Sequence, residues 1–234
     1  MKVLFAVPSY LGVRDAKFFF ALEKTMEYVK QHGHSVGVTI LTGCCYVQLS
    51  RIRLVREFLY SEYDKLFFLD EDIEWQPEDA LKLIEMDDDL IAGIYPYKRE
   101  PLDFPVVIHC NPDNTPIVRA DGCISASSLP TGFMCVKREV FILIRNMYPQ
   151  YHFTDYKDGE IMDYFDFFPQ GIQDGRWVGE DYAFCRLWEK IGGKMWIVPN
   201  ITINHHDRLK DRDYAGNYHE FLLSQPQPQE AFCV

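Results

Sequence analysis

The chain has no CxxC pair, no long apolar run and no excess of basic residues, and each absence excludes something. No stretch approaches the ~18 consecutive apolar residues that a membrane-spanning helix needs, so no span is expected. Lysine and arginine total 24 against 35 aspartates and glutamates, giving a formal charge of −11 and a pI of about 5.1. Such a surface offers no attractive field to nucleic acid or to anionic membranes. One nucleotide in a locally positive pocket is still compatible with it. The seven cysteines are odd in number, Cys44 and Cys45 are adjacent, and no leader-like segment opens the chain. That predicts small core thiols, no disulfide framework, and a reduced, cytoplasmic setting. A Gly- and Arg-rich loop after the first apolar run is also missing. Pro8 to Asp15 offers only Gly12 and Arg14 to hold a triphosphate. There is no internal repeat.

What is present is ample core material. Hydrophobic residues make up 47% and aromatics 15% of 234 residues, enough for one sizeable domain. The apolar run Lys2 to Val7 reads as a buried strand closed by the Pro8-Ser9-Tyr10-Leu11-Gly12 loop. A helix follows over about Asp15 to Gln31, then a strand at Val36 to Leu41 and a helix at Ser50 to Tyr60. Lys65 to Leu69 is a third strand, Pro77 to Met86 a short helix, and Leu90 to Ile94 a further strand. This alternation predicts an α/β fold whose central sheet is mostly parallel, with helices on both faces. Ligands in such sheets bind beyond the carboxyl ends of the strands. The second half is less regular. Short strands are predicted at Val106 to His109, Ile117 to Ala120, Met134 to Lys137, Lys194 to Val198 and Ile201 to Ile203. Helices are predicted at Glu139 to Met147 and Asp181 to Lys190. Tyr151 to Asp174 reads as a long loop with a hairpin, and Gln225 to Gln229 as a loose tail. The expected organisation is one domain over 1–222, in two halves (1–98 and 99–222), with a flexible tail (223–234).

Chemistry concentrates at Asp70-Glu71-Asp72, where the apolar strand Leu66 to Leu69 ends. If the strand carries through, period two puts Asp70 and Asp72 on one face. Converging carboxylates are costly without a positive partner, and their oxygens suit Mg²⁺ or Mn²⁺. A plain acidic turn is the alternative. Glu180-Asp181 opens a helix, where acids favour the macrodipole and where a carboxylate can also serve as a general base. His205 and His206 end a short alternating strand, and an imidazole there can complete a metal shell begun far away in sequence. Arg51, Arg53 and Arg56 recur at helical spacing, either to meet a phosphate or as a solvated helix face. Thr131-Gly132-Phe133 permits close backbone approach to a ligand or marks a simple turn.

Taken in order, these pieces resemble the metal-dependent nucleotide-sugar glycosyltransferases of the GT-A class, the small bacterial and phage members above all. The resemblance spans about Val3 to Tyr218, and it implies that 1–98 is the nucleotide-sugar-binding half and 99–222 the acceptor and metal-completing half. It rests on Phe5 to Tyr10, Ser50 to Arg53, Leu66 to Ile73, Leu90 to Lys98, Leu129 to Phe133, Gly179 to Cys185 and Pro199 to His205. It implies a donor that is a nucleoside-diphosphate sugar, a UDP-sugar first, and a glycan or other hydroxyl acceptor. It also implies Mn²⁺ or Mg²⁺ and the cytoplasm of a bacterium or a phage-infected cell. Asp72 and His205 would hold the metal, with Asp70 supporting it or touching the ribose, and Glu71 would point away. Pro8, Ser9 and Tyr10 would line the base pocket, with Arg51 near the base or diphosphate. Tyr95, Lys98 and Gly132 would shape the sugar and acceptor side. Asp181 would be the base and Glu180 would bind hydroxyls. Two positions depart from the pattern. Ile52 stands where relatives often have Asn, and Asp207 where they often have Gly, which leaves His205 against His206 open. A sugar nucleotidyltransferase and a non-catalytic nucleotide- or carbohydrate-binding module are the alternative readings.

Overall fold

The computed structural model describes residues 1–12, 15–157 and 159–225. The strands are β1 (Lys2–Ser9), β2 (Ser35–Thr42), β3 (Lys65–Leu69), β4 (Ile73–Glu74), β5 (Leu90–Ala92), β6 (Val107–Ile108), β7 (Ile124–Ser128) and β8 (Phe133–Lys137). They continue with β9 (His152–Lys157), β10 (Glu160–Phe165), β11 (Gly171–Gln173), β12 (Arg176–Val178), β13 (Met195–Ile197), β14 (Thr202–Asp207) and β15 (Arg212–Asn217). The helices are α1 (Ala16–Gln31), α2 (Val47–Leu59), α3 (Pro77–Glu85), α4 (Arg138–Met147), α5 (Glu180–Lys190) and α6 (Tyr218–Ser224).

Eight strands form the central sheet in the order β2-β1-β3-β8-β5-β13-β7-β6. Only the β1–β2, β1–β3 and β5–β13 pairs are parallel; β3–β8, β8–β5, β13–β7 and β7–β6 are antiparallel. The sheet is therefore mixed, which corrects the expectation of a mostly parallel one. The regular βα alternation of the first 95 residues does yield a parallel β2-β1-β3 half. The antiparallel remainder comes from β8, which enters between β3 and β5, and from β7, a strand whose Ser-rich sequence, Ile124-Ser-Ala-Ser-Ser128, hides its apolar pattern.

Alternation along β1 and β3 divides the core. Val3, Phe5, Val7, Phe67 and Leu69 face α1 and α3, whereas Leu4, Ala6, Leu66 and Phe68 face α2, α4 and α5. Both faces are covered, which is why these strands read as continuous apolar runs. Pro8 extends β1 rather than ending it. It pairs with Leu41 of β2, and β1 has already left β3 after Ala6, so the missing N–H disrupts no ladder.

The Tyr151 to Asp174 region, expected as a loop with a hairpin, holds the β9–β10 hairpin and begins a second, β11–β12. Arg53 and Arg56 belong to this architecture. Arg53 pairs with Asp155 at 3.2 Å, and Arg56 Nε donates to the Asp163 carbonyl at 3.0 Å, so α2 holds the hairpin. Ile117 to Ala120 contributes one isolated bridge, Val118 to Ile124, in place of a strand. Cys123, Cys135 and Cys185 are buried free thiols as expected, but Cys44 and Cys45 are free outside the core and Cys110 is disulfide-bonded. Helix α6 runs on to Ser224, and the rest of the expected tail, 226–234, lies outside the described residues. Among the described residues no helix is long and apolar enough to cross a membrane.

Candidate functional site

Strand β3 does not carry through the acidic triplet. It ends at Leu69, residues 71–72 form a turn, and β4 starts at Ile73. Asp70 bonds the Tyr95 hydroxyl and Asp72 meets His205, whose ring packs on Tyr95, so the turn and not strand alternation relates the two acids. The Asp70 N–H donates to the Gly132 carbonyl at 2.9 Å, continuing the β3–β8 ladder by one bond. One Asp70 oxygen accepts from Arg51 Nη2 at 2.8 Å, the other from the Tyr95 hydroxyl at 3.0 Å. The Gly132 N–H in turn donates to that hydroxyl at 3.2 Å. A Cβ on Gly132 would collide with both the Asp70 carboxylate and the Tyr95 hydroxyl, so only glycine allows this contact.

Asp72 faces His205 and Lys98. The short β4 pairs with β14, placing His205 opposite Ile73, and the His206 N–H donates to the Asp72 carbonyl at 2.8 Å. His205 Nδ1 lies 2.8 Å from the Pro96 carbonyl, and its Nε2 lies 3.5 Å from Asp72 Oδ1. Because a carbonyl only accepts, Nδ1 carries the hydrogen and Nε2 is the atom turned to the carboxylate. Lys98 Nζ sits on the other Asp72 oxygen. Burial raises the Asp72 carboxyl, but His205 and Lys98 outweigh it and hold the group well below the usual carboxylate range. The Tyr95 ring meets His205 edge-on, with centroids 4.9 Å apart. His206 takes another direction, with Nδ1 2.6 Å from Asp213.

Arg51 is 3% exposed and lies between two acids. Besides Asp70, its Nε is 3.6 Å from Glu180 Oε1, and its guanidinium lies 5.7 Å over the Phe68 ring. Nε and Nη1 have no hydrogen-bond partner among the described residues. Glu180 and Asp181 form the first turn of α5, where the macrodipole favours acids. Asp181 receives the Tyr182 N–H at 2.8 Å. Burial, and then the neighbouring Glu180 charge, push its carboxyl up to about 6 despite that bond and the field of Arg51. A half-buried carboxyl raised in this way, with one held low at Asp72 across Tyr95, is an arrangement suited to accepting a proton near neutral pH.

The predicted positions thus fall into two groups. Asp70, Asp72, Tyr95, Lys98, Gly132, His205, Arg51, Glu180 and Asp181 are linked by the contacts above. Pro8, Ser9 and Tyr10 end β1 nearby: Pro8 is buried, Tyr10 is exposed, and Ser9 Oγ donates to Glu71. Glu71 turns away from Asp70 and Asp72 to meet Ser9 and Arg208, whose Nη1 is 3.1 Å from Oε1 and whose Nη2 donates to the Glu71 carbonyl at 2.8 Å. Arg208 escaped the sequence reading because a lone arginine in a polar turn carries no local signal. Tyr97 and Tyr182, whose hydroxyls perturb each other and both feel Asp181, were also missed. Tyr97 does lie within the quoted Tyr95-Pro96-Tyr97-Lys98 segment.

Among the described residues no group of three or more His, Cys, Asp or Glu is placed to hold a metal ion. The Asp72–His205 pair nevertheless fits Mg²⁺ or Mn²⁺ by its chemistry. Such ions in phosphate-transfer sites take one or two protein ligands and fill their shell with waters and substrate phosphates. With Nδ1 committed to Pro96, His205 presents an imidazole nitrogen to a carboxylate, oriented as metal-bound histidines are.

No family model matches the chain, and no curated protein matches it in sequence. Among solved structures it is similar to GalNAc-T7 with UDP, GalNAc and Mn²⁺, at 12% identity and a TM-score of 0.49 over 87% of this chain. The chain spans 43% of that protein's length. It is also similar to the inositol-1-phosphate CTP transferase from T. maritima, at 15% identity, a TM-score of 0.45, and 89% and 91% of the two chains. A glycosyltransferase involved in glycosylating the major capsid of PBCV-1 matches at 10% identity and a TM-score of 0.32, over 63% of this chain and 65% of its own. All three likenesses are loose.

Proposed function

We propose that this chain is a metal-dependent glycosyltransferase of GT-A type, moving a sugar from a nucleoside-diphosphate donor to a hydroxyl acceptor. The observation that carries the reading is that Asp72, paired with His205, and Asp181, in the first turn of α5 with its carboxyl pushed up to about 6, both act on the buried Tyr95 hydroxyl. Asp72 and His205 would hold Mn²⁺ or Mg²⁺, which when bound offsets charge on the leaving diphosphate. Lys98 supplies a further positive charge on the same side. Arg51 holds Asp70 and Glu180 in place from within the core, and the Tyr95 hydroxyl fixes the other Asp70 oxygen. Glu180, on the rim, accepts from sugar hydroxyls. Asp181 takes the acceptor hydroxyl's proton as the new glycosidic bond forms, which is the role of a general base in an inverting transfer.

The test is a panel of nucleotide sugars, UDP-sugars first, incubated with Mn²⁺ with and without chelator and assayed for nucleoside-diphosphate release. Metal-dependent release from one donor, lost in Asp72→Ala, supports the reading. Pyrophosphate release from a nucleoside triphosphate and a sugar phosphate replaces it with nucleotidyl transfer. Tight donor binding without turnover, acceptors supplied, replaces it with a binding module.

A further inference from the structure

A cavity of about 490 Å³ opens between the start of α2 and the β9–β10 hairpin. Its wall includes Tyr46, Gln48, Tyr151, His152, Phe153 and Asp166. We infer that it is a carbohydrate subsite, binding a pyranose that does not itself react, so that the acceptor is an oligosaccharide held at two places. The assignment to an acceptor rests on the glycosyltransferase reading; the assignment to a sugar rests on the cavity.

The polar floor is built in advance. Gln48 Nε2 donates to Asp166 Oδ2 at 3.0 Å and to the Phe168 carbonyl at 2.9 Å, while Gln170 Nε2 donates to Gln48 Oε1 at 2.9 Å. Asp166 Oδ1 accepts from the Phe168 N–H at 2.9 Å. These partners of Asp166 are all neutral. Burial, ahead of those bonds, raises its carboxyl, and no cation among the described residues offsets the cost. Each carboxylate oxygen retains a lone pair for another donor. Two adjacent sugar hydroxyls are a neutral, paired donor set that matches it.

The walls are aromatic, as a sugar's C–H face requires. Tyr46 is the most telling. It is the N-cap of α2, a position that favours Ser, Thr, Asp or Asn, and it makes no side-chain cap bond. The residue is 67% exposed, so neither helix capping nor core packing accounts for a tyrosine there. Stacking on a ligand at the cavity rim does.

Place supports the acceptor assignment. Helix α2 starts where β2 has ended, on the carboxyl side of the sheet, and the Gly43 N–H ties this connection to the Tyr10 carbonyl at 3.0 Å. One turn beyond Gln48, Arg51 reaches Asp70. Phe168 packs on Phe68, two residues before Asp70, with centroids 5.9 Å apart. Gln48, Phe168 and Phe68 thus connect the cavity floor to the strand that ends at Asp70.

The experiment is ligand-observed and ¹H–¹⁵N NMR on the full chain without donor. The probes are glucose, galactose, mannose, lactose, cellobiose and mannobiose, with lysine methyl ester as a cationic control. Expected is binding of at least one sugar with shifts at Tyr151, Phe153 and Asp166. Tyr46→Ala and Asp166→Asn are each expected to raise its Kd about tenfold, and Tyr46→Ala, at an exposed side chain, leaves the fold intact by circular dichroism. A disaccharide binding more tightly than its monosaccharide places the subsite on a glycan; a monosaccharide binding as well makes it a site for free sugar. No binding by any sugar, shifts confined to other surfaces, or binding of the ammonium probe alone overturns the proposal. Sugar binding without any nucleotide-sugar turnover leaves the subsite standing and removes the glycosyltransferase reading; turnover with Kd values untouched by both substitutions does the reverse.

Discussion

The Pro96 carbonyl and His205 Nδ1 meet at 2.8 Å across 109 residues of chain, and this bond decides which ring nitrogen faces Asp72. Its consequence is a difference between two adjacent histidines. Mn²⁺ binding, read by electron paramagnetic resonance with UDP present, is expected to weaken at least tenfold in His205→Ala. His206→Ala, whose ring pairs with Asp213 instead, is expected to stay within about twofold. Equal losses in the two variants would sink the assignment of His205.

Asp181 makes activity and stability respond to pH in opposite senses. As the proposed base it must be ionised, so kcat/KM is expected to rise tenfold per pH unit below about 6 and to level above it. Its folded pKa lies above the ordinary 3.8, so the folded state binds the extra proton between the two values. The stability this confers is complete below about 4 and is lost as pH rises through about 6. Asp181→Asn is thus expected to remove the acidic limb, lower turnover by about 10²–10⁴, and gain on the order of 1–2 kcal/mol at pH 7, discounted for partial exposure. A variant that loses stability at pH 7 and keeps the limb contradicts the role.

Gly132→Ala sets a methyl against the Asp70 carboxylate and the Tyr95 hydroxyl. Neither neighbour is free to yield, since Arg51 and the Gly132 N–H hold them. Thermal unfolding is expected to show a loss of about 1–3 kcal/mol, and turnover to fall by more than the change in folded fraction. Wild-type stability with normal turnover would show that the contact is slack.

Lys65 is 3% exposed, and its ammonium donates to the Ile84 carbonyl at 2.9 Å and the Met86 carbonyl at 2.6 Å, at the carboxyl end of α3. It satisfies carbonyls that the helix leaves open. Lys65→Met keeps the stem and deletes the donors, and urea denaturation is expected to show a cost of about 1.5–3 kcal/mol, with the Asp72 site unaltered in Mn²⁺ binding. A loss below about 0.5 kcal/mol would mean water takes over the cap.

Much of the candidate site can be read locally, and specific features explain the rest. Asp70 and Asp72 stand out because a run of apolar residues ends on them, and Glu180-Asp181 because acids gather at a helix start. Strand alternation does not relate Asp70 to Asp72, since β3 stops at Leu69 and a turn brings Asp72 round. Arg208 and Tyr182 carry no periodic signal, and their partners Glu71 and Tyr97 lie 137 and 85 residues away in the chain.

By itself the sequence determined the parallel β2-β1-β3 half, the two-faced core and the acidic turn at a strand end. These depend on periodicity and on the local cost of burying or exposing a side chain, which a short window contains. Only the tertiary structure decided that β8 and β7 run antiparallel, that Arg51 serves Asp70 and Glu180 from inside the core, and that His205 rather than His206 faces Asp72. Those outcomes depend on which distant strands pair and in what register, and a one-residue shift in that pairing would turn the other histidine to the site.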